Sequence, residues 1–331
     1  MREAVVVGER KFAVRRAPKP VLDKDEVLIK VRCCGICGSD LHTYIIGLPG
    51  RYGHEYAGDI VAVGSDVKGW KAGDRVTAES ACSCNECYWC AQGEMGLCET
   101  FLERWGASAG GFATYTKTKY QQLHKLPPGL SYEEAAITEP TAVALHAVRL
   151  SGMLTGDVVA VLGLGPIGQL VARLAKISGA RAVYASETSK SRIKLAKGAV
   201  DEVIDAKKVD PAARILELTG GRGPDMVFEC AGAVTPTLQA MTMTRRGGTI
   251  VIVGVSMNLA EIIVGSIALR ELTIKGSMLF NPGEYALALS LIAGKKIDVA
   301  PLITDILPLA RINQAFEKAT SGKGGKILIK P

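Results

Sequence analysis

The hexapeptide Gly163-Leu164-Gly165-Pro166-Ile167-Gly168 follows directly on the apolar run Val158–Leu162 and opens a stretch of helical periodicity. A glycine turn of this spacing lets backbone N–H groups approach a pyrophosphate at a helix N-terminus, and it belongs inside a strand–helix–strand unit. Such units recur. Apolar segments at 158–162, 182–185, 226–228 and 249–254 alternate with helical stretches from Asp157 to about Ser277. That alternation predicts a parallel, doubly wound α/β sheet. Glu187 follows Gly168 by 19 residues, at the end of the second strand. A carboxylate there meets the adenosine ribose hydroxyls and repels a 2′-phosphate, so NAD is expected in preference to NADP. Arg192 and Lys190 stand nearby and favour the phosphorylated cofactor. Cys230 and Val253 close later strands, at the carboxyl edge where open parallel sheets bind ligands, and join the expected cofactor residues.

Residues 1–138 read differently. Short β-like segments at 27–32, 58–63 and 75–77 are broken by Gly, Asp and Pro, as in antiparallel β structure. Ser131 with Glu134 forms a capping box that opens helical sequence running through 139–149 and stopping near Gly152. The tail holds helical stretches at Glu284–Ala293 and 309–320 and a last strand at Lys326–Lys330. A chain of 331 residues, 48% apolar, is long enough for two domains.

Nine cysteines, with neither a signal peptide nor an 18-residue apolar run, suggest a soluble, cytoplasmic protein whose thiols serve metal or catalysis. The net charge of +7 is scattered in pairs such as Arg15/Arg16, Lys207/Lys208 and Arg245/Arg246, so neither nucleic acid nor membrane is an expected partner. Cys84, Cys87, Cys90 and Cys98 have the spacing C-x2-C-x2-C-x7-C, which can wrap four thiolates around one ion with no open position. Disulfides are the rival reading, but cysteines two residues apart bridge poorly. Cys82 is read as a spare thiol, and Cys33 and Cys34 as small buried residues.

A second donor set is spread along the chain: Cys37 after a strand, His54 and Glu55 after a Pro-Gly turn, and Glu139 before Pro140. Three protein ligands with an exchangeable position are what a catalytic zinc requires. Asp40 is placed to accept the other ring proton of His54. Ser39 and His42 add a hydroxyl and a second imidazole beside this set.

Taken together, Cys-Gly-Ser-Asp-Leu-His at 37–42, Gly-His-Glu at 53–55, Gly-Asp-Arg-Val at 73–76, the four-cysteine lobe, Glu139-Pro140 and the glycine turn resemble the zinc-dependent medium-chain alcohol dehydrogenases. The similar branch contains the sorbitol, 2,3-butanediol and threonine dehydrogenases. The resemblance implies a GroES-like β-rich catalytic domain over 1–140 and 280–331, with a structural zinc lobe at 82–98. An α/β Rossmann cofactor domain over 141–279 is inserted into it. It implies two zinc ions per subunit. Cys37 and His54 hold the catalytic one with Glu55 or Glu139 as third donor, and Ser39 passes a proton through the cofactor ribose to His42. The implied activity is reversible hydride transfer from a secondary alcohol, a vicinal diol or polyol, to NAD, in a homotetramer or homodimer. An L-threonine 3-dehydrogenase or other amino-alcohol dehydrogenase is the alternative, and a non-catalytic NAD-binding protein a third reading. The segment 43–53 is shorter than in polyol dehydrogenases and lacks the Trp-Asp pair of threonine dehydrogenases. That opens the pocket and disfavours threonine.

Overall fold

The computed structural model describes residues 1–79, 83–101 and 110–331; Cys82 lies outside them. Two compact units form, one from Met1–Glu139 with Asn281–Pro331 and one from Pro140–Phe280.

In the first unit, β1 (Arg2–Gly8), β2 (Lys11–Arg16), β3 (Glu26–Gly35), β4 (Gly50–Arg51), β5 (Glu55–Val63), β6 (Arg75–Ala78), β7 (Tyr115–Lys119) and β8 (Leu123–Lys125) precede the second unit. The second unit contributes β9 (Val158–Leu162), β10 (Ala182–Glu187), β11 (Glu202–Asp205), β12 (Met226–Glu229), β13 (Thr249–Ile252) and β14 (Thr273–Gly276). The chain then returns with β15 (Ile303–Pro308) and β16 (Lys326–Lys330).

The returning strands complete the larger sheet of the first unit, whose order is β15-β16-β3-β5-β6-β8, with β7 also on β3. Two registers meet at Gly35, the last residue of β3. It pairs with Glu55 of β5 on one side and with Leu328 of β16 on the other. Next to this sheet, β2, β1 and β4 form a small antiparallel one. Four rings fasten the surrounding elements: Phe316 stands 4.6 Å from Phe12 and 5.0 Å from Tyr44 between centroids, with Phe112 at 5.5 Å. Tyr44 is fully buried, so this cluster anchors the Gly38–Ile46 helix.

The second unit holds six strands, all parallel, in the order β11-β10-β9-β12-β13-β14. This is the doubly wound Rossmann arrangement, with β9 at the point where the order reverses. β9 is buried along its whole length, which is why Val158–Leu162 reads as a continuous apolar run.

The structure corrects several sequence expectations. The Ser131–Glu134 capping box forms, but it starts a single turn, Tyr132–Ala135, and the longer helix Thr138–Ser151 begins afresh. Pro140 then falls in a first turn, where its missing N–H costs nothing. The stretch 309–320 divides into a 3₁₀ turn and the helix Ile312–Thr320. β13 ends at Ile252, so Val253 lies beyond the strand. β11 and β14 were not foreseen: they are four-residue edge strands with mixed exposure, too short to show a period. No helix among the described residues is long and apolar enough to cross a membrane.

Candidate catalytic metal centre

Cys37 follows β3, as expected, and is the residue from which the Gly38–Ile46 helix starts, in extended conformation. Asp40, in the first turn, accepts the Cys37 backbone N–H at 3.0 Å. Its other oxygen accepts the Gly53 N–H at 3.4 Å and lies 3.6 Å from Nδ1 of His54. One carboxylate, 1% exposed, thus ties the Cys37 turn to the His54 turn and orients the imidazole. Gly53 has φ 91°, and a Cβ there would sit 2.9 Å from both Cys34 Sγ and the Phe112 nitrogen, so only glycine fits.

Glu55 opens β5 directly opposite Gly35. A Cβ on Gly35 would come within 2.1 Å of Glu55 Oε2, so that glycine makes room for the carboxylate. Ligand atoms of Cys37, His54 and Glu55 all lie within 4.8 Å of one another. Glu55 Oε2 is buried and has no hydrogen-bond partner. Such an oxygen is costly to leave bare, and a cation between thiolate, imidazole and carboxylate would satisfy it. The residues therefore fit a zinc ion. Burial opposes charging of His54, yet Asp40 and Cys37 push its pKa well above the usual imidazole range. The same negative potential would draw in a metal cation.

Lys326, which sequence reasoning missed, completes the centre. Its ammonium donates to Glu55 Oε1 at 2.5 Å and to the Ile36 carbonyl at 3.0 Å, and its side chain is 4% exposed. No local signal marks it: β16 is apolar and buried on both faces between its two lysines, and Lys330, on the same face as Lys326, is exposed.

Glu139 is not part of the 4.8 Å trio. It sits in the first turn of Thr138–Ser151, 3% exposed, and burial, with Glu55 and Asp40 adding to it against His54 and Lys326, pushes its carboxyl from 4.5 up to about 7. The folded chain then binds this proton more tightly than the unfolded one. The contribution of Glu139 to stability is present at low pH and declines as pH rises between about 4.5 and about 7, by roughly 3 kcal/mol. In zinc-free protein, Glu139→Gln is expected to flatten that part of a stability–pH series measured by urea unfolding. An unchanged slope would place the proton on another group.

Ser39 and His42 lie on the Gly38–Ile46 helix, three residues apart and so on one face. Ser39 Oγ is buried without a hydrogen-bond partner, while His42 is exposed.

Cys84, Cys87, Cys90 and Cys98 also converge within 4.8 Å. The sulfurs of Cys84 and Cys90 stand 3.8 Å apart, far too long for a disulfide. It is the edge of a tetrahedron with ~2.3 Å zinc–sulfur bonds, ~3.8 Å. Backbone N–H groups of Glu86 and Cys87 pull the Cys84 thiol down to about 6, and burial pushes Cys90 up to about 12. All four are free thiols, as are buried Cys33 and Cys34.

In the second unit the glycine turn has the expected build. Gly163 has φ 91° and meets Ala231 closely; Gly165 precedes Pro166–Ile177, with Pro166 at its first position and Ile167 in its first turn; a Cβ on Gly168 would lie 1.9 Å from the Gly163 carbonyl. Glu187 closes β10 and bends back to the turn. Oε2 accepts the Leu164 N–H at 2.9 Å, and Oε1 accepts those of Thr188 at 2.7 Å and Ser189 at 2.9 Å. Arg192 Nη1 lies 3.9 Å from Glu187 Oε2. Cys230 Cβ would meet a side chain on Gly168 at 3.3 Å, and the Val253 N–H donates to the Glu229 carbonyl at 2.9 Å. Both therefore sit at the carboxyl edge of the sheet.

Known proteins with the same build exist. Residues 23–128 match the alcohol dehydrogenase GroES-like domain, and residues 166–294 match the zinc-binding dehydrogenase domain. The chain is 36% identical to a sorbitol dehydrogenase of Halalkalibacterium halodurans, covering 98% of this chain and 97% of that one. It superposes on 2R,3R-butanediol dehydrogenase from Bacillus subtilis with a TM-score of 0.90 at 34% identity, covering 100% and 99%. A Sinorhizobium meliloti protein solved bound to NADP gives 0.93 at 31% identity, covering 100% and 99%. The chain is an oxidoreductase of the zinc-dependent medium-chain alcohol dehydrogenase family, a Rossmann domain inserted into a GroES-like domain.

Proposed function

We propose that this polyol or alcohol dehydrogenase oxidises a secondary alcohol, a vicinal diol or polyol, to the ketone and transfers the hydride reversibly to NAD. The observation that carries this is the trio Cys37, His54 and Glu55 with its bare carboxylate oxygen, in one chain with a dinucleotide turn faced by Glu187. Cys37, His54 and Glu55 would hold the catalytic zinc, Glu139 would stand in reserve outside the trio, and the four-cysteine lobe would hold a second ion. Zinc, when bound, supplies a Lewis acid that makes the alcohol proton easier to remove. The protein's own groups do the rest. Ser39 Oγ, unpartnered and buried, takes the alcohol proton, and exposed His42 on the same helix face delivers it to water. Asp40 and Lys326 hold the imidazole and the carboxylate in place. The alcohol loses one hydride and one proton, and NAD gains the hydride.

NAD is proposed because the Glu187 charge, held against the glycine turn by the Leu164 N–H, would repel a 2′-phosphate. A cytoplasmic setting is supported by cysteines placed for metal binding or burial and not for disulfides among the described residues. Self-association, as a homodimer or homotetramer, is supported by the open edge of β14 and by Ile263, Val264 and Leu269, which are 81%, 70% and 79% exposed.

The test is a panel of vicinal diols, polyols, threonine and simple alcohols scored for NADH formation, with and without a zinc chelator. Turnover of a diol or polyol with NAD, lost on chelation, is the expected result. Preference for threonine, chelator-resistant turnover, or no turnover at all would overturn the proposal.

A further inference from the structure

In the Pro140–Phe280 unit, four arginines line one groove of ≈ 530 Å³: Arg222, Arg245, Arg246 and Arg270, beside Leu216 and Thr242. They arrive from three places. Arg222 lies in the loop before β12, Arg245 and Arg246 form the turn before β13, and Arg270 ends the helix before β14. All four therefore stand at the amino ends of their strands. The dinucleotide turn and Val253 follow the carboxyl ends of β9 and β13, and the strands are parallel. The groove lies at the opposite edge of the sheet from the cofactor turn.

Each guanidinium is held in place. Arg222 Nη2 and Arg245 Nε both reach Oδ1 of Asp225, at 2.7 Å and 2.5 Å, while Asp225 Oδ2 accepts the Val158 N–H. Arg246 Nη1 donates to the Leu269 carbonyl at 3.0 Å, and Arg270 donates to the Met241 carbonyl at 2.5 Å and to that of Thr244. Among the described ion pairs, Asp225 is the one carboxylate that these arginines meet. Carbonyls satisfy N–H groups without cancelling charge. Four cations thus face one anion. Bracing accounts for part of this: Asp225 needs a partner, and Arg270 follows the preference for cations at a helix C-terminus. The Arg246 bond to the Leu269 carbonyl braces the same helix end, but bracing does not account for the second cation on Asp225. A guanidinium has five N–H donors, and the named bonds use one or two on each, so most of the donor capacity is unspent.

We infer that this groove is a second anion site, which binds a small molecule carrying two or more phosphate groups. Several planar donor forks on fixed arginines match phosphate oxygens, and a polyanion offsets the surplus charge that the fold assembles. The site is independent of the dehydrogenase reading.

The experiment uses the full chain saturated with NADH, so that the glycine turn is filled, and titrates inorganic pyrophosphate by calorimetry at fixed low ionic strength. One pyrophosphate per chain is expected. Arg222 is 55% exposed and Arg246 is exposed, so both variants are expected to fold. Arg222→Ala and Arg246→Ala should each weaken binding about tenfold with NADH affinity unchanged, and Arg246→Glu should abolish it. No pyrophosphate binding, or binding of equal strength in all three variants, would overturn the assignment. So would tighter binding of a short DNA duplex than of pyrophosphate, since that would make the patch a nucleic-acid surface.

Discussion

Cys37→Ser is expected to lower turnover at least about a thousandfold while leaving the protein folded. The rate follows from what a catalytic zinc contributes. Several kcal/mol of charge stabilisation is lost with the ion, and ~4 kcal/mol is a factor of about 10³. The fold should persist because Cys37 occupies the N-cap of the Gly38–Ile46 helix, a position that serine fills better than most residues. Asp40 bonds to the backbone N–H at this position and keeps that bond. Metal analysis should find one zinc per chain, retained in the four-cysteine lobe. Cys87→Ser is the matching control. It should lose the other ion and lower the melting midpoint by about 10 °C, and at low temperature it should keep most of the turnover. Cys87 also precedes a short helix, Tyr88–Ala91, so the loss would come through the metal and not the backbone. A Cys37→Ser protein with two zinc ions and the parent rate would remove the proposed centre. Cys87→Ser with unchanged melting would remove the structural ion.

How much of this was legible in the sequence depended on whether each feature is local. The glycine turn, β9 and the four-cysteine spacing are local patterns, and the structure shows the turn, the strand and the convergence of all four sulfurs. The pairing of Cys37 with His54 and Glu55 was legible because the motifs are specific to a family, not because spacing dictates it. What joins them, Asp40 bonded across to Gly53 and Gly35 yielding space to Glu55, depends on the β3–β5 register, which no local pattern encodes. Lys326 is the clearest case. It lies 271 residues from Glu55, and a lysine at a strand end reads as solvated until the strand is placed beside β3. The rank of Glu139 was likewise undecided, because 4.8 Å proximity is a tertiary fact. Edge strands β11 and β14 escaped because half-exposed four-residue segments carry too little periodicity.

The second large effect is expected at that lysine. Lys326→Met keeps the volume of the side chain, so packing changes little and the consequence is electrostatic. The pair with Glu55 is buried on both sides, 4% and 0% exposed. Removing one member of such a pair leaves an uncompensated buried charge, at a cost of about 3–5 kcal/mol. In zinc-free protein, among the described residues, the ammonium is the cation bonded directly to Glu55, and the protonated His54 imidazole in the same trio compensates only part of what is lost, so most of the loss should appear there, as a lower urea midpoint. With zinc loaded, the carboxylate has a second compensating charge, and that charge repels the ammonium across the same side chain. The variant should therefore lose less stability when loaded. By the thermodynamic cycle, its zinc affinity should rise above that of the parent. Pre-organisation of Glu55 by Lys326 works the other way, but one hydrogen bond to a charged group, about 1.5–3 kcal/mol, is smaller than the cost of an unpaired buried carboxylate. Lys326→Arg, which retains the charge, should restore parental stability in zinc-free protein at least in part. The measurement is the difference between zinc-free and zinc-loaded unfolding free energies in parent and variant. If zinc stabilises Lys326→Met no more than it stabilises the parent chain, then Glu55 is not the donor that faces the ion, and Glu139 takes its place.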